Sequence, residues 1–146
     1  MSYLDEMFGL TGKTALVTGA SRGIGQTAAI GFAKAGAEVY SMDLDSSEQT
    51  VRLIEAFGGK AHSITGSVTK EADVDAAMQQ ILSGSGRLDV VFNNAGICIH
   101  KDTFAASVEE FRRVVDVNLT GELIVARAAA KLMYEHGIHG CIINMA

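Results

Sequence analysis

Three glycines in the segment TGASRGIG could bind a phosphate group. Gly19, Gly23 and Gly25 follow an apolar run and precede a helical pattern, in a G-x-x-x-G-x-G spacing. Unpaired N–H groups and the positive end of the helix dipole favour an anion at the first turn of such a helix. Gly19 would allow a tight turn, Gly23 a close approach of the backbone to a pyrophosphate, and Gly25 close packing of helix on strand. An ordinary glycine-rich turn is the alternative interpretation.

A carboxylate follows the second apolar run of the chain. Asp43 lies 24 positions after Gly19, close to the separation at which a carboxylate accepts hydrogen bonds from the ribose hydroxyls of a dinucleotide. Asp43 and Asp45 would repel the 2′-phosphate of NADP, whereas the Arg22 guanidinium could bind that phosphate. These charges predict NAD as the cofactor, with NADP less favoured. The alternative role for Asp43 is that of a turn residue before a helix.

The elements that must position these residues alternate along the chain. Short apolar runs rich in β-branched residues predict strands, and apolar residues three and four apart predict the helices between them. The predicted strands are Thr14–Thr18, Glu38–Met42, Ala61–Ile64, Asp89–Phe92 and Cys141–Ile143. The alternation predicts an α/β fold, a doubly wound parallel sheet of the Rossmann type in three α/β/α layers, truncated after the fifth strand. Its strand order should be 3-2-1-4-5, with ligands at the carboxyl ends of the strands.

Capping residues mark the starts of two helices. The segments Ser46–Gln49 and Ser107–Glu110 have the capping-box spacing. The second segment begins a helical pattern that continues nearly unbroken to about His136. The helix after the glycine segment is expected to bury a stripe of apolar residues, which comprises Ile24, Ala28 and Phe32.

The composition excludes several classes of protein. At 146 residues, with 48% hydrophobic and 20% charged residues, the chain is typical of one globular domain. Its net charge of −5 argues against nucleic acid or an anionic membrane as a partner. No apolar run approaches the ~18 residues of a membrane span, and the first residues lack the basic region of a secretory signal. Two cysteines form no disulfide framework, so we expect a cytoplasmic protein.

Histidines and cysteines offer a weaker chemical signal. His136, His139 and Cys141 are close in sequence and could suggest a metal site. A fourth ligand is not nearby, and the segment has the pattern of a helix end entering a strand, so no metal is predicted. Cys98 and His100 follow the fourth strand, where His100 is expected to be a pocket wall or surface residue.

Three segments in this order closely resemble the short-chain dehydrogenase/reductase family: TGASRGIG, NNAG at Asn93–Gly96, and the Asn118 of VDVNLTG. The resemblance covers the chain from about Gly9. It implies an NAD(P)-dependent oxidoreductase that interconverts an alcohol and a carbonyl. The candidate cofactor-binding residues are Gly19, Ser21, Arg22, Gly23, Ile24, Gly25, Asp43, Ser67, Val68, Asn94, Ala95 and Gly96.

Two positions call for separate expectations. The apolar residues around Asn118 predict a buried amide that needs hydrogen-bond partners, which core backbone alone could supply. In the family this Asn belongs to the catalytic tetrad and holds a water that leads to the active-site Lys, so Asn118 is the candidate catalytic residue. Ser67-Val68 stands where the family usually has Asp-Val, whose Asp contacts the adenine amino group. A hydroxyl therefore replaces a charged acceptor.

The family's chemistry also needs a Ser just after the fifth strand and a Tyr-x-x-x-Lys on the next helix. The sequence given ends at Ala146, and Tyr134 is not followed by a Lys at position 138. Residues 1–146 are therefore expected to be an incomplete NAD(P)-binding Rossmann domain, inactive alone. The complete chain is expected to act on a small hydroxy compound such as a sugar or polyol. The alternative function is a non-catalytic NAD(P)-binding sensor or partner subunit.

The long helical pattern from Ser107 to His136 is apolar on more than one face, as Phe111, Leu119 and Leu123 illustrate. In the family this helix pairs across subunits in a four-helix interface, which implies a homo-oligomer, a dimer or tetramer. Leaving ~400 Å² of apolar surface in water forgoes about 10 kcal/mol. We therefore expect the chain of residues 1–146 alone to associate or to fold poorly.

Overall fold

The computed structural model describes residues 2–146, in which strands and helices alternate after a short N-terminal helix. The strands are β1 (Thr14–Thr18), β2 (Glu38–Asp43), β3 (Lys60–Thr65), β4 (Val90–Asn93) and β5 (Cys141–Asn144). The helices are α1 (Tyr3–Phe8), α2 (Gly23–Lys34), α3 (Glu48–Glu55), α4 (Glu71–Ser85), α5 (Val108–Val115) and α6 (Glu122–Glu135), with a π-helical segment at Asp116–Gly121 between α5 and α6. The sequence analysis did not predict α1, whose start carries a capping box between Ser2 and Asp5.

The five strands form one parallel sheet in the order β3-β2-β1-β4-β5. This is the predicted order, and each observed strand lies within one residue of its predicted bounds. The register pairs Thr14 with Glu38 and Val90 with Cys141. Because all strands run the same way, the ends of β1 to β4 meet at one edge of the sheet, which we call the carboxyl edge.

Alternate residues of the central strands pack into two separate cores, one on each face of the sheet. On one face Leu16 and Val91 pack with residues of α4 and α6, such as Ile81 and Val125. On the other face Val17 packs with residues of α2 and α3. The predicted three layers are therefore confirmed, and the fully buried strand β1 lies at their centre.

Helix α2 buries small residues against the sheet, with larger apolar residues partly buried beside them. Gly25, Ala29 and Ala33 are its buried residues, whereas Ile24 is 65% exposed. Ala28 and Phe32 are partly buried and pack against this core, and the Phe32 ring meets the Phe92 ring edge to face. The predicted stripe of Ile24, Ala28 and Phe32 is therefore wrong at Ile24 and correct at the other two positions. Small side chains allow the helix axis to approach the strands closely, and this brings the N-terminal turn of α2 down to the carboxyl edge.

Of the two predicted capping boxes, one forms and the other does not. Ser107 caps α5: its hydroxyl accepts from the Glu110 N–H, and the Glu110 carboxylate accepts from the Ser107 N–H. The Ser46–Gln49 box does not form, because Ser47 is the N-cap of α3 and the Ser46 hydroxyl accepts from the Glu48 N–H instead. The helix begins one residue later than the box requires.

The long helical pattern after Ser107 is a single run interrupted by a π-helical segment. Helix α5 passes into the segment Asp116–Gly121 and then into α6, which ends at Glu135. Gly121 is buried there, and a methyl group at this position would lie 2.7 Å from a methyl carbon of Val68. The close contact joins the start of α6 to the loop after β3. Short π-helical turns inside helices often coincide with functional positions.

Candidate dinucleotide-binding site

A cavity of about 350 Å³ lies at the carboxyl edge of the sheet, lined by residues that follow β1, β2, β3 and β4. Nine of the candidate cofactor-binding residues line it: Gly19, Arg22, Ile24, Asp43, Ser67, Val68, Asn94, Ala95 and Gly96. The other three, Ser21, Gly23 and Gly25, belong to the same turn and the start of α2 but are not among its walls. Parallel strand ends thus bring residues from four distant parts of the chain together.

The first and third glycines of the turn are needed for packing. Gly19 has a φ of +66°, and a methyl group on it would lie 2.9 Å from the Cα of Ala95. A methyl group on Gly25 would collide with the carbonyl oxygen of Gly19 and lie 2.6 Å from the side-chain nitrogen of Asn94. These contacts agree with the tight turn expected of Gly19 and the close packing expected of Gly25.

The N-terminus of α2 has open space beside Gly23. Arg22 occupies the N-cap, and within the described residues its side chain makes no capping hydrogen bond. Gly23 has a φ of +61°, and no described atom lies within 4 Å of a methyl group placed on it. The first N–H groups of a helix need partners from outside the helix. A phosphate group fits this place, because it supplies both the acceptors and the negative charge that the helix dipole favours.

Asp43 ends β2 and anchors the glycine turn. One carboxylate oxygen accepts a hydrogen bond of 3.0 Å from the Ser21 N–H, and the other accepts one of 3.2 Å from the Asp45 N–H. The second bond is that of a turn residue, which is the alternative role considered for Asp43. A carboxylate has about four acceptor positions. Asp43 can therefore hold the turn and still accept hydrogen bonds from a ligand in the cavity.

The turn after β4 is bound to the end of β1 through Thr18, a residue that the sequence analysis missed. The buried Thr18 hydroxyl accepts from the N–H groups of Asn94 and Ala95, both at 3.0 Å. The Asn94 amide donates to the carbonyl groups of Thr18 and Gly19. The buried Asn93 amide donates to the Glu122 carbonyl and the Asn144 side chain. Thr18 could have been found from its place at the end of a strand beside the glycine turn.

Asn118 lies in the π-helical segment and is exposed rather than buried, which corrects the expectation of a buried amide. Both polar atoms of its side chain are nevertheless bound to one residue of the loop after β4. The side-chain oxygen accepts from the Ile97 N–H at 2.8 Å, and the side-chain nitrogen donates to the Ile97 carbonyl at 2.9 Å. These paired bonds join the π-helical segment to the wall of the cavity. The partners are backbone groups, but they belong to the loop after β4 and not to the core.

The loop after β3 presents two hydroxyl groups beside the cavity. The Ser67 and Thr69 hydroxyls lie 2.8 Å apart, and the Ser67 oxygen also accepts from the Thr69 N–H. The nearby Asp73 carboxylate accepts from the Ser67 N–H and is not part of the cavity wall. Val68 is buried between this loop and the core under α6.

Seven further residues line the cavity without having been singled out as cofactor ligands: Met42, Leu44, Asp45, Gly66, Thr69, Ile97 and Val117. Six of them lie within a few residues of a strand that the sequence predicted correctly, so the strand ends themselves were the available signal. Val117 had no such signal, because its position depends on the π-helical segment.

The walls of the cavity carry two acidic side chains and one basic side chain. Asp43 and Asp45 lie at the end of β2, and Arg22 lies at the start of α2.

The metal alternative gains no support within residues 2–146, where no group of three potential ligands is close enough to bind an ion. His136 and His139 line a different cavity with Lys13, Arg87 and Asp89, around the start of β4 at the opposite edge of the sheet. None of the helices described in this part of the chain has the length and hydropathy that crossing a membrane requires.

Comparisons with known proteins agree with the fold. The family model described as short chain dehydrogenase matches residues 13–146. The glucose 1-dehydrogenase 2 of Bacillus subtilis (strain 168) is 38% identical over 141 residues, which cover 94% of this chain and 55% of that protein. The 3beta-hydroxysteroid dehydrogenase 1 of Eggerthella lenta is 38% identical over 140 residues, which cover 94% of this chain and 54% of that protein.

A crystal structure of a short-chain type dehydrogenase/reductase from Mycobacterium marinum superposes with a TM-score of 0.95 at 38% identity. The superposition covers 100% of this chain and 60% of that one. The chain therefore spans about half the length of the curated relatives it matches. Since the family match extends from before β1 to the last residue, the chain belongs to the short chain dehydrogenase family.

Proposed function

We propose that residues 1–146 bind NAD in the cavity at the carboxyl edge and form the cofactor-binding part of an NAD-dependent oxidoreductase. The observation that carries this proposal is the position of Asp43, a carboxylate at the end of β2 that lines the cavity beside the glycine turn. When bound, a nicotinamide dinucleotide supplies the redox chemistry that interconverts an alcohol and a carbonyl compound.

The residues of this chain would bind and orient the cofactor. The open N-terminal turn of α2, with Gly23, is suited to the pyrophosphate. Asp43 would accept hydrogen bonds from the ribose hydroxyls, and its charge together with that of Asp45 would repel the 2′-phosphate of NADP. The proposed preference for NAD is thus electrostatic, and the positive charge of Arg22 acts against it.

The substrate we propose is a small hydroxy compound such as a sugar or polyol. The similarity to a glucose 1-dehydrogenase supports this choice, whereas the similarity to a hydroxysteroid dehydrogenase supports a larger alcohol.

Asn118 is the candidate catalytic residue of this chain, and its bonds to Ile97 would orient the loop that borders the cavity. None of Tyr3, Tyr40 and Tyr134 is followed by a Lys four residues later. We therefore expect the 1–146 chain to bind NAD without catalytic turnover.

Calorimetric titration of NAD and NADP into this chain tests the proposal. Wild-type protein should bind NAD more tightly than NADP. Asp43→Ala should weaken NAD binding by roughly 10- to 150-fold, the equivalent of about 1.5–3 kcal/mol for lost hydrogen bonds to a charged acceptor, and should remove the preference for NAD.

Two further variants separate binding from folding. Asp43→Asn keeps one of the two acceptor oxygens, enough for the Ser21 N–H but not also for the Asp45 N–H, and removes the charge. It should therefore lose selectivity against NADP while remaining folded, with a small fall in melting temperature. Asp45→Ala is the matched control, since it removes a neighbouring carboxylate and should leave a clear preference for NAD. If Asp43→Asn keeps the wild-type NAD/NADP ratio, Asp43 does not select the cofactor. Oxidation of an alcohol above background by this chain would contradict the expected lack of turnover.

A further inference from the structure

The loop after β3 contributes two hydroxyl groups and no charged side chain to the cavity wall within the described residues. With a pyrophosphate at the start of α2 and a ribose at Asp43, the sheet order places β3 on the side of β2 that faces away from β1. The base of the nucleotide must therefore extend toward the loop after β3. The cavity walls there are Leu44, Gly66, Ser67, Val68 and Thr69. Leu44 and Val68 offer apolar surfaces to the faces of a base, and Ser67 and Thr69 offer hydroxyls to its edge.

The two hydroxyls can act as donors and as acceptors. Ser67 and Thr69 contribute two hydroxyl hydrogens, and the bond of 2.8 Å between their oxygens uses one of them. The other hydrogen can point toward a base or rotate away, which leaves a lone pair for a donor on the base. The pair is thus able to match either kind of group without moving its oxygens.

Among the described residues, the loop after β3 contributes no carboxylate to the wall, whose acidic side chains, Asp43 and Asp45, come from the end of β2. Asp73 is the nearest carboxylate of the loop, and one of its oxygens is bound to the Ser67 N–H at 2.8 Å. It lies outside the residues that line the cavity. A carboxylate accepts hydrogen bonds only, so it would favour an amino group over a carbonyl oxygen. Neutral hydroxyls impose no such choice.

We propose that the Ser67–Thr69 hydroxyl pair reads the base edge without distinguishing a 6-amino from a 6-oxo purine, so that the site accepts NAD and nicotinamide hypoxanthine dinucleotide with similar affinity. Hypoxanthine presents an acceptor oxygen where adenine has a donor amino group, and an N1–H donor where adenine has an acceptor nitrogen. The pair complements both patterns. This inference rests on the proposed binding of a dinucleotide in the cavity, and it concerns the base rather than the ribose.

Titration of the 1–146 chain with three dinucleotides tests the inference: NAD, the hypoxanthine analogue, and an analogue whose purine has no substituent at position 6. We expect the first two to have dissociation constants within about threefold of each other, and the third to bind roughly 2- to 10-fold more weakly because a hydrogen bond is missing. A tenfold or greater preference for NAD, or equal binding of all three, would overturn the inference. If NAD binds and is preferred, the proposed function stands while this inference fails; if none of the three binds, both fail.

Variants of the loop provide an independent test. Ser67→Asp introduces a fixed acceptor and should create a preference for NAD over the hypoxanthine analogue of roughly tenfold. Thr65→Asp is the matched control, because Thr65 is an exposed residue at the end of β3 that does not line the cavity, and it should leave the ratio unchanged. A folded Ser67→Asp protein with the wild-type ratio would overturn the inference. If repulsion from Asp73 prevents Ser67→Asp from folding, the three wild-type titrations decide.

Discussion

Two glycines with positive φ distinguish the cost of backbone strain from the cost of blocking the binding site. Gly23 has a φ of +61° and Gly58 a φ of +85°, and no described atom lies within 4 Å of a methyl group on either one. Gly23 is at the start of α2 beside the cavity, whereas Gly58 lies between α3 and β3 at the opposite edge of the sheet. Alanine at either position meets the same left-handed strain and no collision within the protein.

The expected effects follow from this pairing. Gly23→Ala and Gly58→Ala should each lower the free energy of unfolding by about 1–2 kcal/mol, the cost of a left-handed conformation for a residue with a Cβ. Only Gly23→Ala should also weaken NAD binding, because its Cβ occupies the space through which a pyrophosphate would reach the backbone N–H groups. Loss of one hydrogen bond to a charged group is worth about 1.5–3 kcal/mol, or roughly 10- to 150-fold in Kd.

Urea denaturation measures the stability of the two variants, and calorimetric titration with NAD measures their affinity. Gly31→Ala adds a reference in the same helix, because Gly31 has room for a methyl group and lies within α2. It should stabilise the protein by up to about 1 kcal/mol without changing the affinity. Equal losses of NAD affinity in Gly23→Ala and Gly58→Ala would refute the assignment of the pyrophosphate to the start of α2. Unchanged affinity in Gly23→Ala would do the same.

Two more predictions concern the segment after β4 and the surface of α6. Contact with the Lys101 ammonium and the Ser107 N–H lowers the pKa of Glu110 from its ordinary 4.5 to about 2. The stabilising contribution of the Glu110 carboxylate should therefore be complete above pH 4.5 and be lost as the pH falls through about 2. An NMR titration should find the low pKa of Glu110, and Lys101→Met should raise that pKa. An ordinary pKa of Glu110 in the wild-type chain would contradict the ion pair. Leu123 is 62% exposed on α6, so we expect light scattering to show that the chain self-associates. Leu123→Lys should reduce this association, whereas the control Leu53→Lys, on the exposed surface of α3, should not. A monomeric wild-type chain would contradict the expected interface.

The sheet and most of the cavity were predictable because both depend on local patterns. Apolar runs bounded by turns identify each strand, and the alternation with helices leaves few possible strand orders. Once the order is known, Gly19, Asp43, Ser67 and Asn94 must meet, since each follows the end of a parallel strand. The arrangement of these residues therefore needs no information about long-range contacts beyond the topology.

The errors have a common physical origin in close packing. The stripe predicted for α2 placed Ile24 in the core, but this residue is exposed and the helix buries Gly25, Ala29 and Ala33, because close contact with the sheet requires small residues. The capping box at Ser46 failed because the chain turns one residue later, where Ser47 is fully buried. A periodicity argument counts hydrophobicity and spacing, and it contains no information about the distance between two layers.

Asn118 illustrates what a sequence pattern leaves open even when it singles out the right residue. The pattern predicted an amide that needs partners, and both ends of the amide do find partners on Ile97, 21 residues earlier. That pairing requires an N–H and a carbonyl of one residue to face the same side chain, which depends on the course of the loop after β4. It also depends on the π-helical segment, which shifts the side chains that follow it relative to a regular helix. The exposed amide and the loop thus hold each other in place, and this explains how Asn118 can be well positioned without being buried.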